Sequence, residues 1–172
     1  MGWKAGKPTL GYAAISTEKI RTSGRPTIED FEIVVHRYLE RLSQAAVKRG
    51  IPRHLVFTHQ GCTYEPWEKH MSFKPAMNEY SVPGWSFYSH DPEQCGSLTA
   101  DLDAAGRRQW AASEWWRGAE NTEQWRRRFE ASLRFKKCRL VCVYNWESFK
   151  KYPEALRAVR DLVQQAQTRP AP

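Results

Sequence analysis

The sequence predicts an α/β fold of parallel strands, built as part of a (β/α)8 TIM barrel with about four carboxy-terminal strand–helix units. Three observations lead there. Short apolar runs alternate with amphipathic helical stretches along most of the 172 residues, the pattern of parallel strands joined by crossover helices. The phosphate-binding turns GxGxxG and GxxxxGKS of open nucleotide-binding sheets do not occur in the sequence. Nearly every strand-like run also ends in a polar or aromatic residue: His59, Tyr88, Glu114 and Asn145-Trp146-Glu147. A barrel gathers its functional groups at the carboxyl ends of its strands in this way.

The first 26 residues read as an irregular segment, the remnant of a preceding barrel unit. A helix is predicted from about Ile28 to Arg49, with Thr27 at its N-cap and Glu29 and Asp30 in the first turn, where carboxylates suit the helix dipole. Phe31, Val34, Val35, Tyr38, Leu39, Leu42 and Ala46 form its apolar stripe, and Gly50 and Pro52 end it. The run from His54 to His59 (HLVFTH) has strand character. Residues 60–83 read as a long irregular stretch, a length that usually serves a function or hides a short helix.

A second strand is predicted over Trp85–Tyr88, then a short helix from about Leu98 to Ala105 closed by Gly106, and a third strand from Gln109 to Glu114. A basic helix follows from about Glu123 to Lys136, capped by Asn121 or Thr122, with Trp125, Phe129 and Leu133 recurring every four residues. The fourth strand, Arg139–Asn145, is a nearly continuous apolar run, as in a parallel strand covered on both faces. The last helix starts near Pro153, a residue whose missing N–H costs nothing in a first turn. Ala155, Leu156, Val159, Leu162, Val163 and Ala166 mark its buried face. The half-barrel is thus assigned to residues 27–167, and the tail 168–172 (TRPAP) is disordered on composition. A whole barrel takes about 250 residues, so the chain reads as the carboxy-terminal half of a longer one.

Lys and Arg number 27 against 19 Asp and Glu, a net charge of +8, and 41% of the residues are hydrophobic. That balance belongs to a globular domain, not to a disordered chain. The basic excess raises nucleic acid as a partner. Its densest run, Arg126 to Lys137, lies on the polar face of the amphipathic helix, so a solvated face is the preferred reading. No apolar run approaches the ~20 residues of a membrane span. The opening MGWKAGKPTLGY lacks the apolar region of a signal peptide, and in a chain read as a truncated barrel this leaves the localisation unknown. Cys62, Cys95, Cys138 and Cys142 show no CxxC and no Cys/His spacing of a zinc site. They read as reduced packing residues, with Cys138 and Cys142 sharing one strand face. No metal and no organic cofactor is implied.

Aromatic residues make up 13% of the chain, including 8 Trp, several of them beside Gly, Glu and Asn. Counted back from the end, RLVCVYNWE takes the place of strand eight of a barrel, QWAASEWW of strand seven, GWSFY of strand six and HLVFTH of strand five. Over residues 28–166 the chain in this respect resembles the clan A glycoside hydrolases, whose strand seven ends in the nucleophilic glutamate and whose strand eight carries an aromatic residue at the sugar site. The resemblance implies a retaining hydrolase or carbohydrate-binding protein with Glu114 as nucleophile and Trp146 against the sugar. Flat rings suit the C–H faces of sugars, so Trp85, Trp115, Trp116, Trp146 and Tyr88 are the expected cleft lining. Tyr88 is expected to orient Glu114 and hold it ionised, and His59, Asn145 and Glu147 are placed among the substrate-binding groups. The family's acid/base glutamate follows an asparagine on strand four, which this chain lacks. Asn78-Glu79 has the same two letters but sits in a loop, and Glu147 is the one alternative partner for Glu114.

Other readings stay open for these residues. Glu114 also fits a solvated residue entering a loop, and His59 a strand-end histidine bonded to backbone. One of Trp115 and Trp116 must face away from a cleft, because adjacent strand residues point to opposite faces. Glu147 fits the turn before the last helix, where its charge suits the dipole. A non-catalytic carbohydrate-binding or scaffolding domain is the alternative to an enzyme, and a basic nucleic-acid binder ranks below both. Exposed strand edges in a half-barrel lead to the expectation that the isolated chain self-associates.

Overall fold

The computed structural model describes residues 28–63, 73–88, 91–119 and 121–168. The expectations for residues 1–26, for Thr27 as a cap and for residues 169–172 lie outside the described residues. The fold is mixed α/β. Strands β1 (Gln60–Thr63), β2 (Gly84–Tyr88), β3 (Trp110–Trp116) and β4 (Cys138–Val143) form a parallel sheet in the order β1-β2-β3-β4. Helix α1 (Ile28–Lys48) precedes the sheet, α2 (Gly96–Ala104) joins β2 to β3, and α3 (Thr122–Arg134) joins β3 to β4. A short α4 (Trp146–Phe149) and a longer α5 (Pro153–Thr168) follow β4.

The helix ends obey local chemistry. Gly50 takes φ +91°, and the Gly50 and Ile51 N–H groups return to the carbonyls of Val47 and Ala46 at 2.9 and 3.2 Å, satisfying the last turn of α1. Helix α2 closes in the same way at Gly106. At the start of α3 the Asn121 side chain accepts the Gln124 N–H at 3.0 Å, the N-cap arrangement that asparagine favours.

One face of the sheet carries the core. Trp85 and Phe87 of β2 and Trp110, Ala112 and Trp115 of β3 are wholly buried there, against Leu98 and Leu102 of α2, Trp125 and Phe129 of α3, and Ala155 and Ala158 of α5. Ala112 and Trp115 share that face only because β3 contains one residue more than its neighbours. Trp85 pairs with Ala112 but Ser86 pairs with Glu114, and on the other side Ala112 opposes Val141 while Trp115 opposes Val143. Ser113 is the extra residue, a β-bulge. Were Ser113 paired as an ordinary strand residue, period-two alternation would send Glu114 toward the helices with Ala112 and turn Trp115 to the opposite face.

The first strand departs from expectation. Arg53–Leu55 form a 3-10 turn, Phe57 meets Val82 in a single parallel bridge, and the ladder with β2 begins at Gln60. Thr58 is the reason. Its carbonyl accepts the Ser113 hydroxyl at 2.7 Å, and its own hydroxyl oxygen accepts the Gly84 N–H at 3.0 Å, so the N–H that would extend the ladder is diverted. The stretch 60–83, read from sequence as irregular, therefore contains β1 and a 3-10 turn at Lys74–Ala76.

Two further expectations are corrected. A register shift separates the pairs Trp110–Cys138 and Ala111–Leu140, so Cys138 packs against the core while Cys142 is exposed on the other face. The two cysteines do not share a face. On α1, Val34, Tyr38 and Leu42 are 40%, 64% and 52% exposed. The helix is held instead through the Lys74–Ala76 turn and a 3.0 Å hydrogen bond from the Gln44 amide to the Tyr80 hydroxyl.

Candidate functional site

The sheet face turned away from the helical core carries a cluster of three polar side chains, one from each of three neighbouring chain segments. Ser86 lies in the middle of β2, where alternation places it opposite Trp85 and Phe87. Glu114 reaches the same face through the bulge at Ser113 and pairs in register with Ser86. His59 immediately precedes β1. The Ser86 hydroxyl donates to Glu114 Oε2 at 2.7 Å, and its oxygen lies 2.6 Å from His59 Nε2. His59 Nε2 is also 3.3 Å from the same Oε2.

Beneath this cluster the backbone is drawn tightly together. A Cβ built on Gly84 would overlap both the Thr58 carbonyl oxygen and the Ser113 hydroxyl. Glycine is therefore needed for close approach at this point. Thr58, itself buried, also donates its hydroxyl to the Ala76 carbonyl at 3.1 Å. The segment before β1, the start of β2 and the bulge of β3 are thus tied at one point, directly under His59, Ser86 and Glu114.

The serine has one proton, which goes to the carboxylate, so its oxygen is left to accept from the imidazole, a pairing that requires the His59 proton on Nε2. Ser86 is 1% exposed, whereas the side chains of Glu114 and His59 retain 21% and 46% of their surface. A nucleophilic serine triad is a poor description. It needs an accessible hydroxyl on one imidazole nitrogen and the acid on the other, but here both partners meet Nε2 and the hydroxyl is buried. The group left open is the carboxylate: among the described residues no hydrogen bond reaches Glu114 Oε1.

The other residues singled out from sequence fall elsewhere. Trp85 and Trp115 do not line a cleft. Trp85 packs edge-on against Phe73 and donates its Nε1–H to Gln60, and Trp115 stacks on Phe129 at 4.5 Å between centroids and donates to the Ser132 hydroxyl. Trp116 packs against Trp125 and Tyr152. Tyr88 shares the strand face of Ser86, with its ring 5.9 Å from that of Tyr144. Among the described contacts, the hydroxyl that orients Glu114 comes from Ser86.

Asn145 caps α4, its side chain accepting the Ser148 N–H at 2.9 Å, and Glu147 in the first turn of α4 pairs with Lys150 at 2.6 Å. Trp146 is 59% exposed and flanks an apolar groove of about 470 Å³ with Phe149, Val141, Val143 and Leu162. Beyond the strand tips, Arg117 and Asp91 form a part-buried ion pair at 2.9 Å that links the segments after β3 and β2.

Ser86 escaped the sequence reading, although counting back two residues from Tyr88 places it on the same face. Ser113 and Thr58 gave no signal, since their importance lies in contacts between segments 55 residues apart. On the basic helix, Glu123 bonds both Arg126 and Arg127 at 3.0 Å, and Glu130 lies 3.2 Å from Arg134. The Glu123 carboxyl is held below its ordinary value by those two arginines. Much of the positive run is therefore answered within the helix. Among the described residues no cluster of three His, Cys, Asp or Glu side chains is disposed to hold a metal ion, and no helix is long and apolar enough to cross a membrane. Comparison of the chain with protein-family models, with characterised proteins and with solved structures gave no match.

Proposed function

We propose that the chain is a glycoside hydrolase-like segment of a (β/α)8 barrel, in which Glu114 attacks the anomeric carbon of a bound sugar. The observation that carries this reading is the carboxylate itself. A bulge turns Glu114 out of an aromatic core, the Ser86 hydroxyl bonds one of its oxygens with His59 Nε2 3.3 Å away, and among the described residues no hydrogen bond reaches the other oxygen. Parallel strands in consecutive order support the barrel, because a doubly wound sheet reverses its strand order part-way. Hydrolysis also needs a carboxyl to protonate the leaving oxygen. Glu147, 75% exposed in a helix turn, is poorly suited to that task.

A substrate that needs no acid isolates the role of Glu114. With a 2-deoxy-2-fluoroglycosyl fluoride, Glu114 Oε1 forms a bond to the anomeric carbon as the carbon–fluorine bond breaks and fluoride departs. A covalent sugar ester on the peptide containing Glu114, found by mass spectrometry with a panel of such fluorides and absent from Glu114→Gln, is the expected result. No adduct across the panel, or one on another residue, overturns the reading.

Self-association is proposed on a separate observation. Among the described residues β1 and β4 are the sheet edges, and the apolar groove beside Trp146 adjoins β4. Unpaired edges invite another chain. Two copies related by an axis along the strands would pair β4 of each with β1 of the other, closing eight parallel strands. Sedimentation should show a dimer or larger species. A monodisperse monomer with strong amide protection in residues 60–63 and 140–143 would rule this out.

A further inference from the structure

We infer that Ser86 is a positioning residue that selects which oxygen of Glu114 is free to react and, at the same time, which nitrogen of His59 faces a substrate hydroxyl. The inference rests on the reading of Glu114 as the reacting carboxylate, but its geometry stands apart from any sugar. The Ser86 proton lies on Glu114 Oε2 at 2.7 Å, and the Ser86 oxygen accepts from His59 Nε2 at 2.6 Å. His59 Nε2 also lies 3.3 Å from Oε2. Oε2 is therefore bonded by the Ser86 hydroxyl and faced by the imidazole, and among the described residues Oε1 is the oxygen with free lone pairs.

His59 is constrained in turn. A neutral imidazole carries one N–H, and here that proton is committed to Nε2. Among the described residues Nδ1 is then a bare acceptor, on a ring whose side chain is 46% exposed. Such a nitrogen accepts from a hydroxyl and repels a carbonyl or ether oxygen. The preferred ligand class is accordingly a polyol that presents an O–H donor beside the centre attacked by Oε1. Ser86 touches neither reacting atom nor substrate, being 1% exposed. It acts through its two neighbours.

The test uses the whole chain with nitrogen-15 in its histidine rings, observed by NMR in alkaline buffer where imidazole is neutral. The wild type should show His59 protonated on Nε2 with Nδ1 bare. Ser86→Ala removes the acceptor from Nε2 and should raise the Nδ1–H form of His59 severalfold, while Ser86→Cys, which keeps the volume with a weaker bond, should fall between. A wild-type His59 protonated on Nδ1 overturns the inference without any variant, so it stays testable even if Ser86→Ala does not fold. Unchanged His59 signals in a folded Ser86→Ala also overturn it. Covalent labelling by the fluoride panel separates the two levels. An Nε2–H wild-type His59 whose signals respond to Ser86→Ala, with no adduct at Glu114, sinks the glycosidase reading and leaves the positioning role standing. An adduct at Glu114 together with an Nδ1-protonated His59 does the reverse.

Discussion

Replacing Trp115 by alanine distinguishes a core tryptophan from one lining a cleft. The ring is wholly buried, stacked on Phe129 at 4.5 Å and 27°, and bonded through Nε1 to Ser132 at 3.0 Å. Burying a tryptophan removes about 150–250 Å² from water, or roughly 4–6 kcal/mol at ~25 cal/mol per Å², an upper bound because unfolded chains already hide some surface. Large-to-small changes at such sites cost about 3–5 kcal/mol. A chain of this size loses about 2–4 °C of melting temperature per kcal/mol, so Trp115→Ala should lower it by roughly 6–20 °C. The urea midpoint should fall in parallel. The control is Trp146→Ala, 59% exposed, with an expected cost of about 1 kcal/mol or less. If Trp115→Ala melted within about 2 °C of the wild type, a shift worth under ~1 kcal/mol, the ring would not be a core element and the face assignment of β3 would be wrong.

Gly84→Ala must push against the Thr58 carbonyl and the Ser113 hydroxyl, and overpacking of this kind costs about 1–3 kcal/mol. A melting temperature unchanged from wild type would deny the close approach. Asn145→Ala should destabilise by about 0.5–2 kcal/mol through loss of the α4 cap, with Asn145→Ser recovering most of it. Equal losses in both variants would contradict a capping role. Burial holds the Cys138 thiol above its ordinary value of 9.0, and Cys142 is exposed. Iodoacetamide should therefore modify Cys142 first, as followed by peptide mass spectrometry, and faster labelling of Cys138 would refute the burial. Because the folded-state thiol ionises at higher pH than the unfolded one, its contribution to stability is intact below pH 9 and declines as pH rises through the folded-state value. Denaturation titrations from pH 8 upward should follow that sign.

Sequence alone was informative where chemistry is local. The ends of α1 and α2 at Gly50 and Gly106, the Asn121 cap and the start of α5 at Pro153 each follow from one or two residues whose backbone or side chain admits little else. His59 and Glu114 do meet, although not as carboxyl-end tips: His59 precedes β1 and Glu114 lies inside β3. What could not be read is set by contacts across the sheet. The HLVFTH run is apolar enough for a strand, yet Thr58 gives its carbonyl to Ser113 and delays the ladder to Gln60. Trp115 reads as cleft lining because flat rings suit sugars, and nothing local announces that its ring stacks on Phe129 in the core. Ser86 was overlooked because a serine between two aromatic residues has no periodic signature of its own, and its role appears only when β3 lies alongside.

The bulge at Ser113 makes the order of residues in β3 as consequential as their identity. Deleting that one serine would leave its neighbours pointing as they do, because WAAEWW read as a plain strand still sends Ala112 inward, Glu114 outward and Trp115 inward. What would go is the bond from its hydroxyl to the Thr58 carbonyl. Adding a regularly paired residue beside it is the damaging change, because it inverts the strand from there onward. Glu114 would then be driven among Trp125, Phe129 and Phe149, where an ionised carboxylate without partners is strongly disfavoured, while the Trp115 indole would swing into the place beside Ser86 and His59. A chain that reads WAASSEWW would thus keep every side chain named as functional and lose the site.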